Sequence, residues 1–200
     1  MAKTIIDVSE WVTSIDFKKV KDQGISGVII RAGWGNNNVD AHFKTKIEGA
    51  INAGLPVGIY WFSYAYTKEM ADREAKYCLD AIAPYKITLP VFFDWEYDSD
   101  KYFQKMTKRV PTKQEVTDMY LAFMSRILVS GYKAGYYTNP DFLSRLLDEK
   151  QVDGYYKWLA FYVTTPQTDC DIWQYDAKYI AGCTTKVDMN ILNNESLLKD

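Results

Sequence analysis

Apolar and polar positions alternate along this chain in two different rhythms. Short apolar runs are followed, five times over, by stretches whose apolar residues recur at helical spacing. The first run, Thr4-Ile5-Ile6-Asp7-Val8-Ser9, predicts a strand that ends near an aspartate. Thr13 or Ser14 is then expected to cap a helix running towards Gly24, with Phe17 and Val20 on its inner face. Gly27 to Gly35 predicts a second buried strand, and Phe43, Ile47, Ala50 and Ile51 a second helix, stopped by Gly54 and Pro56. Pro56 to Tyr64 reads as strand three, and Ala71, Ala75, Cys78, Leu79 and Ile82 as the inner face of a third helix that begins at Thr67. Strand four is Leu89-Pro90-Val91-Phe92-Phe93-Asp94-Trp95-Glu96, apolar enough to be buried on both faces until it meets two acids.

A polar loop is expected from Tyr97 to Pro111. Thr112 and Glu115 form a capping-box pattern ahead of a helix carrying Val116, Met119, Tyr120, Phe123 and Ile127, closed by Gly131. Lys133 to Thr138 predicts strand five, and Asn139-Pro140 starts a short fifth helix. From Tyr156 the helices stop. Lys157 to Tyr162, Asp171 to Tyr175 and Lys186 to Ile191 predict three strands joined by loops alone. Five βα units and three further strands imply an α/β fold with a parallel sheet, closed as an irregular TIM-like barrel of eight strands. No repeat, linker or low-complexity tract divides the chain, so residues 1–200 are expected to form one catalytic domain.

Charge and composition narrow the chemistry. A formal net charge of -2 and a pI near 5.5 offer no electrostatic case for nucleic acid or an anionic membrane. No apolar run is long enough to span a bilayer, and no signal peptide fits ahead of the first strand. The single histidine, His42, sits at a helix start far from any nucleophile motif, which argues against Ser or Cys triads and against a zinc amidase. Cys78, Cys170 and Cys183 lack metal-ligand spacing, and their odd number argues against a disulfide framework; nothing in the pattern supports a Cys170–Cys183 bridge. The aromatic share of 16% includes 16 tyrosines and 6 tryptophans, enough for a core and for walls against which flat sugar faces stack.

In an α/β barrel the site gathers at the C-terminal ends of the strands. Those ends carry Asp7, Arg31 to Trp34, Tyr60 to Tyr64, Asp94 to Glu96, Tyr137, Trp173 to Tyr175, and Asp188. On an extended strand Asp94 and Glu96 share a face, with Cα atoms roughly 6–7 Å apart. Acids alone could hold Mg²⁺ or Ca²⁺. The aromatic surroundings fit a saccharide better, so no metal or cofactor is expected. Cleaving a glycosidic bond needs a protonated carboxyl for the leaving oxygen and a second group to stabilise the cationic sugar. Neighbouring carboxyls push their pKa values apart, which can keep one protonated. Glu96, with the longer reach, is the candidate general acid, and Asp94 its ionised partner. Arg31, Trp34, Tyr60, Trp61, Tyr137, Trp173 and Tyr175 are the candidate sugar-binding side chains.

The chain resembles the glycoside hydrolase family 25 muramidases, the Chalaropsis-type lysozymes that include phage endolysins. The resemblance runs through Asp7-Val8-Ser9, Arg31-Ala32-Gly33-Trp34-Gly35, Gly54-Leu55-Pro56-Val57-Gly58-Ile59-Tyr60, Asp94-Trp95-Glu96, Trp173-Gln174-Tyr175 and Val187-Asp188-Met189-Asn190. It implies an irregular barrel that hydrolyses the β-1,4 bond between N-acetylmuramic acid and N-acetylglucosamine in bacterial peptidoglycan. Glu96 then aligns with the family's acid, Asp94, Asp7 and Asp188 with its supporting carboxylates, and Tyr60, Tyr137 and Trp173 with the groove. Lys46 stands where many members have Asn, and Trp61 where a His is frequent, which bears on subsite preference. Asp94, two residues before the acid, also resembles the Asp-x-Glu of chitinase-like barrels, where the Asp steadies the substrate's N-acetyl group. Two other functions fit the same residues: a chitinase-like or N-acetylglucosaminidase enzyme, and a non-catalytic glycan-binding module on a decayed barrel. The implied site of action is the bacterial cell wall, reached by phage-type release on host lysis or by export with a leader not present here. A C-terminal wall-binding module absent from this chain is compatible with an ending so soon after the last strand.

Overall fold

The computed structural model describes residues 3–165 and 169–199. Nine strands join one sheet: β1 (Lys3–Val8), β2 (Ile25–Trp34), β3 (Asn38–Val39), β4 (Val57–Phe62), β5 (Val91–Asp94), β6 (Ala134–Thr138), β7 (Tyr156–Ala160), β8 (Ile172–Lys178) and β9 (Val187–Leu192). Eight of them close into a barrel in the order β1-β2-β4-β5-β6-β7-β8-β9, with β9 returning to β1. The two-residue β3 is a hairpin appended to β2 rather than a barrel stave. The helices are α1 (Phe17–Asp22), α2 (Phe43–Asn52), α3 (Lys68–Ile82), α4 (Tyr97–Thr107), α5 (Lys113–Val129) and α6 (Pro140–Arg145).

The barrel is mixed, not wholly parallel as the βα rhythm predicts. Strand β9 runs antiparallel to both β8 and β1. Only residues 179–186 separate β8 from β9, too few for a crossover back to the bottom of the barrel, so β9 descends where β8 rose. This reversal has a chemical consequence. Asp188, near the start of β9, lands directly opposite Asp7, near the end of β1. In a parallel β9 it would lie at the far end of the barrel.

Two other expectations are corrected. The segment from Tyr97 is not a loop, since α4 occupies Tyr97–Thr107 and only the residues after it are irregular. Its helical signal is weak because Ser99 and Phe103 are its only buried positions, an i, i+4 pair in an otherwise polar segment. Acidic Asp98 and Asp100 in the first turn suit the positive end of the helix dipole. Helix α1 begins later than Thr13 or Ser14; Asp16 caps it, its carboxylate accepting the Lys19 amide at 3.1 Å.

Strand alternation sorts the core into two layers. Ile5, Ile29, Phe92, Trp158, Ile172 and Leu192 point into the barrel and fill it. The intervening residues, among them Ile6, Ile30, Trp61 and Phe93, point outward and meet Ile47, Cys78, Tyr120 and Phe123 of the helices. All three cysteines carry free thiols. Among the described residues, no helix is long and apolar enough to cross a membrane.

Gly135 on β6 makes the barrel interior possible. A Cβ there would sit 2.6 Å from both the Phe92 ring and the Tyr156 carbonyl oxygen. Gly135→Ala is therefore expected to lower the unfolding free energy by about 1–3 kcal/mol, the usual cost of overpacking. Urea denaturation checks this, and an unchanged midpoint would show that the barrel relaxes freely.

Candidate active site

At the upper rim the inward positions turn from apolar to polar. Asp7, Arg31, Tyr60, Asp94, Tyr137, Gln174 and Asn190 occupy them, one layer above the apolar fill. The indole of Trp158 is the floor of this layer. Its ring packs edge-on to Tyr137 at 4.7 Å and Tyr60 at 5.8 Å, and at a tilt to Phe92 at 5.2 Å.

The indole N–H also sets the polarity of what lies above it. It can only donate, and it donates to Asn190 Oδ1 at 2.7 Å. Asn190 must then present its Nδ2 to Asp7 Oδ2, at 2.9 Å. Gln174 Nε2 donates to the same oxygen at 3.0 Å, while its Oε1 accepts from the hydroxyls of Tyr137 at 2.9 Å and Tyr162 at 3.2 Å. The Tyr162 hydroxyl also lies 3.4 Å from Asp188 Oδ1. Trp158, Tyr162 and Asn190 are absent from the sequence-derived strand ends, and Gln174 lies among them without an assigned role. A period-2 count outward from the apolar Ile172 would have pointed Gln174 inward.

Asp7 is buried and faces Asp188, and its pKa is pushed up to about 7. Burial is the first cause and the Asp188 charge the second; the two amide bonds oppose them. The sizes are consistent. Two carboxylates about 5 Å apart repel by about 3 kcal/mol at an effective dielectric constant near 20. Removing one from water costs several kcal/mol more. Two hydrogen bonds to a charged group return only about 3–6 kcal/mol.

Asp94 and Glu96 form the second pair. Their carboxyls are hydrogen-bonded to each other, which requires a proton on one of them. Asp94 Oδ1 is buried, and among the described residues no N–H or O–H donates to it. Burial, and then the Glu96 charge, drive Asp94 well above the usual carboxylate range. Burial also raises Glu96, but its bond from Asp94 pulls the other way. Both acids are thus biased towards their protonated forms, Asp94 being the more deeply buried of the two. The two also sit less simply than an extended strand implies. β5 ends at Asp94, and Glu96 is already the N-cap of α4.

The candidate sugar-binding residues divide. Tyr60 and Tyr137 belong to the polar ring. Arg31 reaches the rim but is engaged, its Nε donating to Asp40 Oδ2 at 3.1 Å and its Nη2 to Glu10 Oε1 at 2.6 Å, with the guanidinium 5.0 Å over Trp34. Trp61 does not line the groove. It is fully buried on the outward face of β4, its indole N–H donating to the Gly35 carbonyl at 3.3 Å. Strand alternation decides this, because Tyr60 takes the inward position. Trp173 and Tyr175 flank the inward Gln174 and stack on each other at 5.5 Å, with the Trp173 N–H held by the Phe161 carbonyl at 2.7 Å. Lys46 is buried and donates to the Ser9 carbonyl at 2.7 Å, tying α2 to the loop after Asp7. Among the described residues, no group of three or more His, Cys, Asp or Glu could hold a metal ion.

The sequence matches the family model for glycosyl hydrolases family 25 over residues 6–183, which takes in the barrel from within β1 to the end of β8 and stops short of β9. The chain belongs to glycosyl hydrolases family 25. Among curated family relatives, lysozyme M1 of Streptomyces globisporus is 41% identical over 58 residues, which is 29% of this chain and 20% of that protein. Among solved structures, the modular autolysin LytC of Streptococcus pneumoniae superposes with a TM-score of 0.82 at 27% identity, over 95% of this chain and 46% of that one. It has also been solved in complex with a synthetic peptidoglycan ligand. The CTP1L endolysin superposes with a TM-score of 0.83 at 26% identity, over 98% of this chain and 69% of that one. The family 25 chain described here thus matches a fifth of the curated lysozyme and less than half of the autolysin.

The raised pKa of Asp7 has a measurable sign. Its folded value of about 7 exceeds its ordinary value of 3.8, so ionisation opposes folding. The penalty is absent below pH 3.8 and grows until pH passes about 7. Asp7→Asn removes the charge and keeps an acceptor. It is expected to raise Tm by at least about 2–4 °C near pH 8, equivalent to about 1 kcal/mol, and not at about pH 4. Thermal melts at the two pH values check this; equal shifts at both would contradict the assignment.

Proposed function

We propose that this chain is a muramidase that hydrolyses the β-1,4 bond between N-acetylmuramic acid and N-acetylglucosamine in bacterial peptidoglycan. The observation that carries the reading is the proton-sharing Asp94–Glu96 pair at the mouth of a family 25 barrel. Lysozymes and endolysins among its relatives support the substrate.

The reaction uses the pair as one unit. When the N–H of the substrate's acetamido group donates to Asp94, it favours the Asp94 carboxylate, and the shared proton passes to Glu96. Glu96 gives that proton to the leaving glycosidic oxygen. The acetamido carbonyl oxygen attacks C1 as the bond breaks, and the Asp94 carboxylate offsets the positive charge on the resulting ring. Water then enters C1 from the vacated side as the bond from the acetamido oxygen breaks, losing its proton to the Glu96 carboxylate, which restores the pair and gives net retention. Asp7 and Asp188 supply negative potential beneath the cationic sugar. Tyr60, Tyr137 and Tyr162 offer ring faces and hydroxyls to its substituents.

Glu96→Gln is expected to lower cleavage of purified walls by at least about 10³-fold with the melting temperature little changed, since no other group replaces the acid. Retained lysis would reassign the acid. Mass spectrometry of the released fragments is expected to find muramic acid at the new reducing end; glucosamine there would favour the chitinase-like alternative. NMR of the first-formed anomer is expected to show the β form, and an inverted product would overturn the substrate-assisted route.

A further inference from the structure

A further buried carboxyl lies behind the acid pair, untouched by the reaction. Glu74 sits on α3, only 3% exposed, in the stripe that otherwise shows Ala71, Ala75, Cys78 and Ile82 to the barrel. A leucine would suit that stripe better, because a buried carboxyl with an unsatisfied oxygen is destabilising. Glu74 Oε2 has no partner among the described residues. Its Oε1 accepts the Tyr64 amide at 3.1 Å, and the adjoining Ser63 hydroxyl, which helps to hold the Glu74 pKa down, accepts the Ala65 amide at 3.0 Å.

What Glu74 holds is the turn after β4, and that turn grips the acid pair. The Ser63 amide donates to the Asp94 carbonyl at 2.7 Å. The Trp95 indole N–H donates to the Ala65 carbonyl at 3.2 Å. The Ser99 hydroxyl donates to the Ser63 carbonyl at 2.6 Å and accepts the Glu96 amide at 3.0 Å. Ser63 and Ala65 of the turn, with Ser99 in the first turn of α4, thus clamp Asp94-Trp95-Glu96 just where β5 has ended and the sheet no longer holds it. Ser63 and Ser99 are themselves fully buried, so no water substitutes in this chain of bonds.

We propose that Glu74 is a positioning residue for Glu96: it fixes the Ser63–Ala65 turn, and the turn, through Ser99, fixes the backbone that aims the acid. The inference rests on Glu96 being the general acid. A purely structural Glu74 would change stability alone.

Glu74→Leu, Glu74→Gln, Ser63→Ala and Ser99→Ala separate the two in the full chain. With rates expressed per folded molecule on purified peptidoglycan, Glu74→Leu is expected to lower kcat between about tenfold and a hundredfold, as small misplacements do, with KM within about twofold of the parent. Glu74→Gln keeps an acceptor for the Tyr64 amide and should recover most of the loss. Ser99→Ala should lose kcat too, and Glu74→Leu combined with Ser99→Ala should be no worse than the poorer single variant. In parallel, ¹³C NMR titration of the side-chain carboxyls should show the Glu96 midpoint displaced in Glu74→Leu. Unchanged kcat per folded molecule with an unmoved Glu96 titration overturns the proposal, as do losses that multiply in the double variant. If Glu74→Leu does not fold, Ser63→Ala decides: full kcat and an unmoved Glu96 titration overturn the proposal, and losses like those of Ser99→Ala support it. A parent chain that releases no reducing ends from peptidoglycan would sink the functional reading instead, and the NMR titration would still decide the link between Glu74 and Glu96.

Discussion

Charge crowded into a poorly solvated space governs the rim of this barrel. Asp7, Asp94, Glu96 and Asp188 are all shifted towards their neutral forms, burial being the first cause each time. Among the described residues no lysine or arginine forms an ion pair with them; Arg31, whose charge acts on Asp94 from a distance, donates to Asp40 and Glu10. The acids are accommodated instead by neutral amides, tyrosine hydroxyls and a proton held between partners. That arrangement keeps protons available near neutral pH, where an isolated surface carboxyl would have lost them. It also ties chemistry to burial, since any change that admits water would release the protons the site depends on.

The surrounding structure serves that constraint in a definite order. Trp158 plugs the barrel and, through its single donor, orients Asn190, which orients towards Asp7. The antiparallel β9 brings Asp188 up to face Asp7, creating the repulsion that adds to burial in raising Asp7. On the opposite side, β5 stops at Asp94 and the chain turns into α4, so Glu96 leaves the sheet and gains freedom to lean towards a ligand. The bonds from Ser63, Ala65 and Ser99 limit that freedom. Glu74, buried in an apolar stripe, makes sense only as the anchor of those bonds.

Much of this was legible in the sequence. The eight barrel strands, five of the six helices and the four acids followed from alternation, helical period and caps, because those signals are local and strong. The misses share a cause. Helix α4 has two buried positions in eleven, too few to set a period. Trp61 and Trp173 drew attention as aromatics near strand ends, but one residue of register moves a side chain to the other face of a strand. The inward residues proved to be Tyr60 and Gln174.

By itself, then, the sequence determined which residues could do chemistry: acids at strand ends, one remote histidine, and a motif set belonging to one glycosidase family. Residue type and spacing suffice for that, because strands and helices are built from neighbours along the chain. Tertiary structure alone decided how deeply each carboxyl is buried, which aromatics face the groove, and that Glu74 stands behind Glu96. Those outcomes depend on burial, on strand direction and on contacts between segments far apart in sequence, and a pKa is set by what surrounds a group in space.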